Sequence, residues 1–306
     1  MGTQLTSLSL HDSEGERQLT SETFAMLPTL VHAANRLFYL VRSVSARAYA
    51  SGELWSLDMA TGQKERMLPG RIMGSYSISS DGMKVVFTTA EGEADRGVWV
   101  ADLDRRTTPR QLTKGGEFRA FFGAPGEIIY LTQGAVRYLF RMKDDGSDRQ
   151  QISTTPVTHL ISVSPDGRWA VTLAPRTDGI GGGLRVELTS LKGEHSFPLC
   201  SGECSIGFGP NRVLAPPAQW SLDGKFLYVS LQYFGLRTRR TVVLPYRSDL
   251  PLEQQYPKGL TTEADLRDNP GAKVIDEADV FPAFDSAYLI WRLSTQSNLY
   301  RIALPR

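Results

Sequence analysis

The side chains with chemical potential in this chain are few and far apart. Cys200 and Cys204, in Cys-Ser-Gly-Glu-Cys, are its only thiols. Their spacing allows a small disulfide loop in an oxidising compartment, a pair of free thiols, or half of a zinc site. No second Cys/His pair completes a zinc set, because His11, His32, His159 and His195 are scattered. Carboxylates recur at Asp81, Asp166, Asp223 and Asp285, and such a row first suggests acid–base or calcium chemistry. Three of them precede glycine: Asp81-Gly82, Asp166-Gly167 and Asp223-Gly224. Asp-Gly is the composition of a tight reversal, in which Asp bonds nearby backbone and Gly supplies φ > 0. A turn role is therefore expected for these aspartates.

Other catalytic patterns are missing. No Gly-x-Ser-x-Gly stretch provides a nucleophile elbow, and neither His-Arg-Asp nor Asp-Phe-Gly of the kinases occurs. Gly179-Ile-Gly-Gly-Gly183 joins two expected strands and opens no helix, so it reads as a loop and not a phosphate cradle. No cofactor, metal set or catalytic residue is assigned from these patterns.

The elements around these residues repeat. An apolar strand, a polar turn and a second apolar strand recur in four stretches. They are Tyr76-Ser-Ile-Ser-Ser-Asp81-Gly82-Met-Lys-Val-Val-Phe87, Leu160-Ile-Ser-Val-Ser-Pro165-Asp166-Gly167-Arg-Trp-Ala-Val171, Ala218-Gln-Trp220-Ser-Leu-Asp223-Gly224-Lys-Phe-Leu-Tyr-Val229 and Val280-Phe-Pro-Ala-Phe284-Asp285-Ser-Ala-Tyr-Leu-Ile-Trp291. Third and fourth strands follow, as in Val98–Leu103 and Arg110–Thr113. Such a unit cannot bury its apolar faces alone, so copies must stack. Degenerate copies at 24–68 and 118–153 lack Asp-Gly and turn near Asn35 and at Ala124-Pro-Gly126. The units 24–68, 72–113, 118–153, 159–200, 215–260 and 279–306 together with 1–20 predict one all-β domain over 1–306, a six-bladed β-propeller of four-stranded antiparallel blades. Residues 279–306 are expected to supply three strands, and an N-terminal strand, where Glu16-Arg-Gln-Leu-Thr20 resembles Arg110-Gln-Leu-Thr113, to complete that sheet and close the ring; 5–10 is surplus to this count, which leaves a seventh partial blade as the alternative. A β-sandwich or jelly roll does not call for near-equal units with the same turn at the same place. The one helical stretch expected is Thr262–Asp268, inside a link over 261–278.

Bulk properties narrow the partners. The 306 residues carry 34 basic and 33 acidic side chains, a net charge of +1. That balance creates no field for nucleic acid or an anionic membrane. No apolar run approaches the ~20 residues needed to span a bilayer. Met1-Gly-Thr-Gln-Leu-Thr-Ser-Leu-Ser-Leu10 lacks a basic segment followed by an apolar core, so no signal peptide is visible.

At its hairpins the sequence resembles the TolB-like, WD-like repeat propellers. These include the propeller of TolB, those preceding the catalytic domain of prolyl-oligopeptidase-type peptidases, and those ending some bacterial Ser/Thr receptor kinases. The resemblance rests on Trp220-Ser-Leu-Asp-Gly-Lys225, Ser164-Pro-Asp-Gly-Arg168, Ser79-Ser-Asp-Gly-Met83 and strand endings such as Asn298-Leu-Tyr-Arg-Ile302. It implies a bacterial binding or scaffold module, the sensor of an envelope or signalling system, in a periplasmic or extracytoplasmic setting. A protein or peptide partner is expected, with a small ligand as a further candidate.

In a propeller, connections between second and third strands and those between blades emerge on one face. The stretches expected there are 42–52, 89–97, 174–183, 201–214, 231–240 and 261–278, and they carry Arg42, Arg47, Tyr49, Arg96, Arg176, Asp178, Tyr233, Phe234 and Arg237. Tyr, Phe and Arg are the types that anchor interfaces, so this rim is the expected partner-binding surface. The alternative is a calcium-dependent hydrolase of the lactonase kind, with Glu117 and Asp279 as candidate oxygen donors in the central channel.

Overall fold

The computed structural model describes residues 3–22, 24–42, 51–89, 96–104, 107–115, 119–175, 184–193, 195–200, 216–232, 239–277, 279–284 and 287–296. The chain opens with β1 (Thr3–Asp12) and β2 (Gly15–Gln18), which wait for partners from the far end. Blade one follows as β3 (Ala25–Val31), β4 (Arg36–Val41), β5 (Glu53–Asp58) and β6 (Lys64–Arg66). Blade two is β7 (Met73–Ile78), β8 (Lys84–Thr89), β9 (Val98–Asp102) and β10 (Arg110–Gln111). Blade three is β11 (Arg119–Phe122), β12 (Glu127–Leu131), β13 (Leu139–Lys143) and β14 (Gln150–Gln151). Blade four is β15 (His159–Val163), β16 (Trp169–Pro175), β17 (Leu184–Ser190) and β18 (Ser196–Leu199). Blade five holds β19 (Ala218–Trp220), β20 (Phe226–Gln232), β21 (Arg239–Pro245), the helices α1 (Leu252–Gln255) and α2 (Glu263–Arg267), and β22 (Lys273–Ile275). Blade six has β23 (Val280–Pro282) and β24 (Tyr288–Gln296) inside, with β1 and β2 outside.

Each of the six sheets is four-stranded and antiparallel, and the architecture is the expected six-bladed propeller. The first strands touch in the closed cycle β3–β7–β11–β15–β19–β23–β3, and so surround a central channel. Second strands are sandwiched by neighbouring blades on both faces. Leu37 to Leu40, Val85 to Thr88 and Ile128 to Leu131 are accordingly buried without a break, where a half-exposed strand would alternate.

Ring closure differs from expectation in one respect. The opening residues contribute two strands to the last sheet where one was expected, and 5–10, surplus to that reading, are the heart of β1. β1 pairs with β24 over nine residues, from Thr3↔Gln296 to His11↔Tyr288. Leu8 and Leu10 of β1 are fully buried, Trp291 Nε1 donates to Ala25 O at 3.0 Å, and His11 stacks on Tyr288 at 4.7 Å. Arg292 binds Glu16 (2.7 Å) and Glu277 (2.9 Å). Its hydrogen bond holds the Glu16 carboxyl below the ordinary carboxylate range.

The Asp-Gly reversals share one rim and one geometry. In each, the Ser two residues before Asp donates its hydroxyl to Asp Oδ1 at 2.6 Å (Ser79–Asp81, Ser164–Asp166, Ser221–Asp223). The same Oδ1 accepts the backbone N–H of Met83, Arg168 or Lys225 at 2.9, 3.0 and 3.1 Å. Gly82, Gly167 and Gly224 take φ of +75°, +65° and +70°. Asn35 (φ +47°) and Gly126 (φ +78°) serve the degenerate copies, so the left-handed position survives where Asp-Gly is absent. Asp285 lies outside the described residues. Two of the reversals also press on the reversal of the preceding blade: a Cβ on Gly167 would stand 2.6 Å from Ala124 N, and one on Gly82 2.7 Å from Ala34 Cβ.

The expected unit 215–260 runs on to Ile275, because 246–272 is an insertion between its third and fourth strands. The stretch 261–278, expected as a link between blades on the loop face, therefore belongs largely within blade five. Its helix α2 is the one read from the sequence, and Thr262 and Asp265 cap it reciprocally at 3.1 and 2.9 Å. Leu252, Tyr256, Leu260 and Leu266 of the insertion are buried in one cluster with blades four and five. Tyr246 donates to Asp166 Oδ2 (2.8 Å), and Cys200 N donates to Leu260 O (2.7 Å). The insertion thus packs blade five onto blade four. Among the described residues no helix is long and apolar enough to cross a membrane.

Two stability measurements test this account. In urea unfolding Gly167→Ala should cost about 2–3 kcal/mol, adding a backbone clash to a strained φ, whereas Gly62→Ala, whose Cβ would meet nothing within 4 Å, should cost about 1 kcal/mol. Leu10→Ala should cost about 2–5 kcal/mol by opening a cavity at the closure, and Arg292→Met, at a part-exposed ion pair, about 1 kcal/mol or less.

Candidate functional site

The first strands are short and turn one hydrogen-bonding edge toward the channel. All six contribute to a cavity of about 600 Å³ running from Leu27, Gly74 and Pro216 to the hairpin rim at His32, Ser80, Pro165 and Phe284. Thr29, Ser75, Ser77, Arg119, Ser162 and Gln219 supply its polar wall, and Phe121, Ile161 and Phe281 its apolar one.

The polar wall is stitched across the seams between blades. Tyr76 donates its hydroxyl to Phe38 O at 3.1 Å and also to Leu27 O, joining blades two and one. Ser77 Oγ accepts from Phe122 N at 3.3 Å, joining two and three. Arg137 Nη1 donates to Thr158 O at 2.9 Å, joining three and four. Ser162 Oγ donates to Ala218 O at 3.4 Å and Gln219 Nε2 to Val280 O at 2.9 Å, joining four to five and five to six. Thr6 Oγ1 donates to Ala25 O at 3.1 Å and closes six onto one. Burial pushes the Tyr76 hydroxyl well above its ordinary range, so it stays protonated and donating. These bonds hold the cavity open in one shape before any ligand arrives.

Charge in the wall is sparse. Arg119 is the one formally charged side chain that the first strands place on the cavity, and burial lowers its pKa from the ordinary arginine value. Asp223 and Lys225 line the hairpin end and pair with each other at 3.5 Å. His159, half-buried at the start of β15, has its pKa lowered to about 4 by burial and by the charges of Arg119 and Arg137.

No family model and no curated protein matches the sequence. Solved structures do. TolB from Acinetobacter baumannii superposes with a TM-score of 0.56 at 15% identity, covering 79% of this chain and 61% of that one. A candidate TolB from Agrobacterium tumefaciens gives 0.53 at 14% identity over 80% of this chain and 86% of that one. A nidogen/laminin complex gives 0.51 at 11% identity over 78% and 89%. The fold is that of the TolB-like propellers. At such identities the likeness carries architecture alone, and this chain spans less than two thirds of the Acinetobacter protein.

The propeller frame places two of the residues named for the rim. Arg42 ends just beyond β4, its backbone N–H on Phe24 O at 3.0 Å and its guanidinium 5.6 Å from the Phe24 ring. Arg96 is exposed just before β9, its carbonyl accepting from Gln111 Nε2 at 3.0 Å. Both belong to second-to-third-strand connections, of blades one and two, and neither lines the cavity. Tyr49, Arg176, Asp178, Tyr233, Phe234 and Arg237, with Arg47, lie outside the described residues. Glu117 does too, whereas Asp279 is buried just ahead of β23. Among the described residues no group of three or more His, Cys, Asp or Glu could hold a metal ion. The turn carboxylates are committed to their hairpins, and hydrogen bonds from Ser79 and Met83 hold Asp81 below the ordinary range. Cys200 is disulfide-bonded, which removes the free-thiol and zinc readings of that residue, and Cys204 lies outside the described residues.

Sequence reasoning missed the channel wall. The available signal was a polar residue inside a short apolar first strand: Arg119 ahead of Ala-Phe-Phe, Gln219 between Ala218 and Trp220.

His159 generates a pH prediction. Its folded pKa lies below the unfolded value, so the unfolded chain takes up the proton first as pH falls. The contribution is whole above about pH 6.5 and is lost toward pH 4. Between pH 7 and 5 the wild type should lose about 1 kcal/mol from this group, after allowing for solvent around a half-buried ring. His159→Gln should flatten that part of the urea-unfolding profile; an unchanged slope would refute the assignment.

Proposed function

We propose that this propeller is a non-catalytic binding module, the sensory or scaffolding part of a larger system, that receives an extended segment of a protein partner in its channel and grips the flanking protein with its loop-lined rim. The observation that carries this reading is the cavity of about 600 Å³ walled by all six first strands. Pockets of roughly 300–1,000 Å³ are the size class that encloses compact ligands. Backbone donors and acceptors along strand edges suit an extended peptide, because they bind main chain whatever its side chains. Seam bonds such as Gln219 to Val280 keep the wall in place, so little ordering cost remains on binding. The rim residues Arg42, Arg96, Tyr233, Phe234 and Arg237, with Tyr49, Arg176 and Asp178, complete the proposed surface. A protein partner also accords with the nidogen/laminin complex among the similar structures.

Selection of random heptapeptides displayed on phage against the intact protein tests the proposal. Selected peptides should bind Ser162→Trp, which fills the channel, at least tenfold more weakly than wild type, with the melting temperature kept within a few degrees. The double variant Tyr233→Ala/Arg237→Ala should weaken a longer selected segment several-fold. Peptides that bind the filled channel as well as the open one would sink the channel reading.

A further inference from the structure

The cavity wall is divided by chemistry among the blades. Adjacent blades six and one give it Leu27, Pro28, Leu30, Phe281, Pro282 and Phe284 and, among the described residues, no formally charged side chain. Leu30 and Phe281 share one buried cluster, Phe284 packs against it, and the His32 ring lies 5.4 Å from that of Phe284. The formal charges among the described wall residues, Arg119, Asp223 and Lys225, stand on blades three and five. Asp279, buried just ahead of β23, does not line the cavity. Polar side chains of the other blades bond inside the protein: Ser75 with Thr88 at 2.8 Å, Ser77 with Phe122 N–H, Ser162 to Ala218 O and Gln219 to Val280 O. A ligand side chain that meets blades six and one finds apolar surface, where burying hydrocarbon is favourable and burying an unpaired polar group is costly.

One residue of that surface is held there against its backbone preference. Leu27 and Pro28 together oppose Tyr39, because the register of β3 on β4 shifts between Met26↔Leu40 and Thr29↔Phe38. Leu27 takes φ +51°, a left-handed conformation that Gly or Asn adopts far more readily than leucine. A bulge does not by itself require this. β7 and β15 shift register at Gly74 and Ile161, on the same wall, and neither residue has positive φ. Of the described non-glycine residues with positive φ, Leu27 alone lines the cavity. The Tyr76 hydroxyl, bonded to Leu27 O, fixes this unit from blade two. Strain persists where the surroundings hold it, and it gathers at sites that grip ligands. A leucine at a position suited to asparagine is explained by what its side chain offers the cavity.

We infer that the apolar wall of blades six and one takes a large aliphatic or aromatic side chain of the bound segment, and that Leu27, left-handed in its bulge, sets this preference. This rests on the channel-binding reading above and specifies the side chain that enters.

Isothermal titration of the intact protein with end-blocked heptaserine, and with heptaserine carrying leucine, phenylalanine or lysine at its central position, provides the test. The leucine or the phenylalanine peptide should bind at least ten times tighter than heptaserine and the lysine peptide, and which one does so separates aliphatic from aromatic recognition. Leu27→Asn keeps a residue suited to the left-handed backbone. It should melt within a few degrees of wild type, yet bring the apolar peptides to within threefold of heptaserine. Phe284→Ser, at the half-buried rim, should cut the preference several-fold and decides the matter if Leu27→Asn does not fold. Equal affinity of wild type for all four peptides would overturn the apolar preference and leave channel binding standing. A preference that survives in the folded variants, or no binding of either apolar peptide at millimolar concentration, would overturn it as well. The selection against Ser162→Trp decides separately whether the channel binds peptides at all.

Discussion

Everything in this molecule depends on the antiparallel pairing of β1 with β24. Among the described residues the last sheet has only β23 and β24 from its own end of the chain, and β1 and β2 from the opposite end cover the long edge that β24 would otherwise present. The entropic cost of joining residues so distant in sequence rises only logarithmically with the loop. A run of nine paired residues with Leu8 and Leu10 fully buried is therefore enough to hold it. Trp291 and Thr6 both donate to Ala25 O, so the same strands that close blade six also fasten it to blade one. Closure and the sixth seam are one structure.

A closed ring makes the blades interdependent. Three reversals on the hairpin face rest on their predecessors, with Gly82 against Ala34, Gly167 against Ala124 and Gly224 beside Pro165, so a shift in one of these blades is passed to its neighbour. Blade five adds a further bond by sending its helical insertion against blade four, where Tyr246 reaches Asp166 and Leu260 meets Cys200. The consequence for function lies at the centre. Six short strands do not fill the axis they surround, and the space left is a cavity in which side chains such as Ser77, Ser162 and Gln219 are engaged across the seams. The side chains that the first strands turn onto that cavity, Thr29, Ser75, Ser77, Arg119, Ser162 and Gln219, give it its polar character.

Legibility in the sequence followed the range of the interaction. Ser79-Ser-Asp-Gly and its counterparts at 164 and 221 announce their hairpins because Ser, Asp and Gly complete the turn among themselves within five residues. The apolar runs of the second strands announce burial on both faces. Blade five was misjudged in length because Lys273–Ile275 is short and largely exposed, and its only mark of belonging is its pairing with Thr241, Val242 and Val243 across the insertion. The role of 5–10 was hidden for the same reason: its partner lies at 288–296.

What the sequence by itself determined is the repeated hairpin, its turn chemistry and hence the six-bladed ring, since these arise from contacts between neighbours along the chain. What only the tertiary structure decided is the content of the channel. Arg119, Ser162 and Gln219 stand in different blades, and nothing local distinguishes them from other polar residues in short strands. They line one cavity because closure wraps the first strands about one axis, and that axis has no counterpart in the linear order of residues.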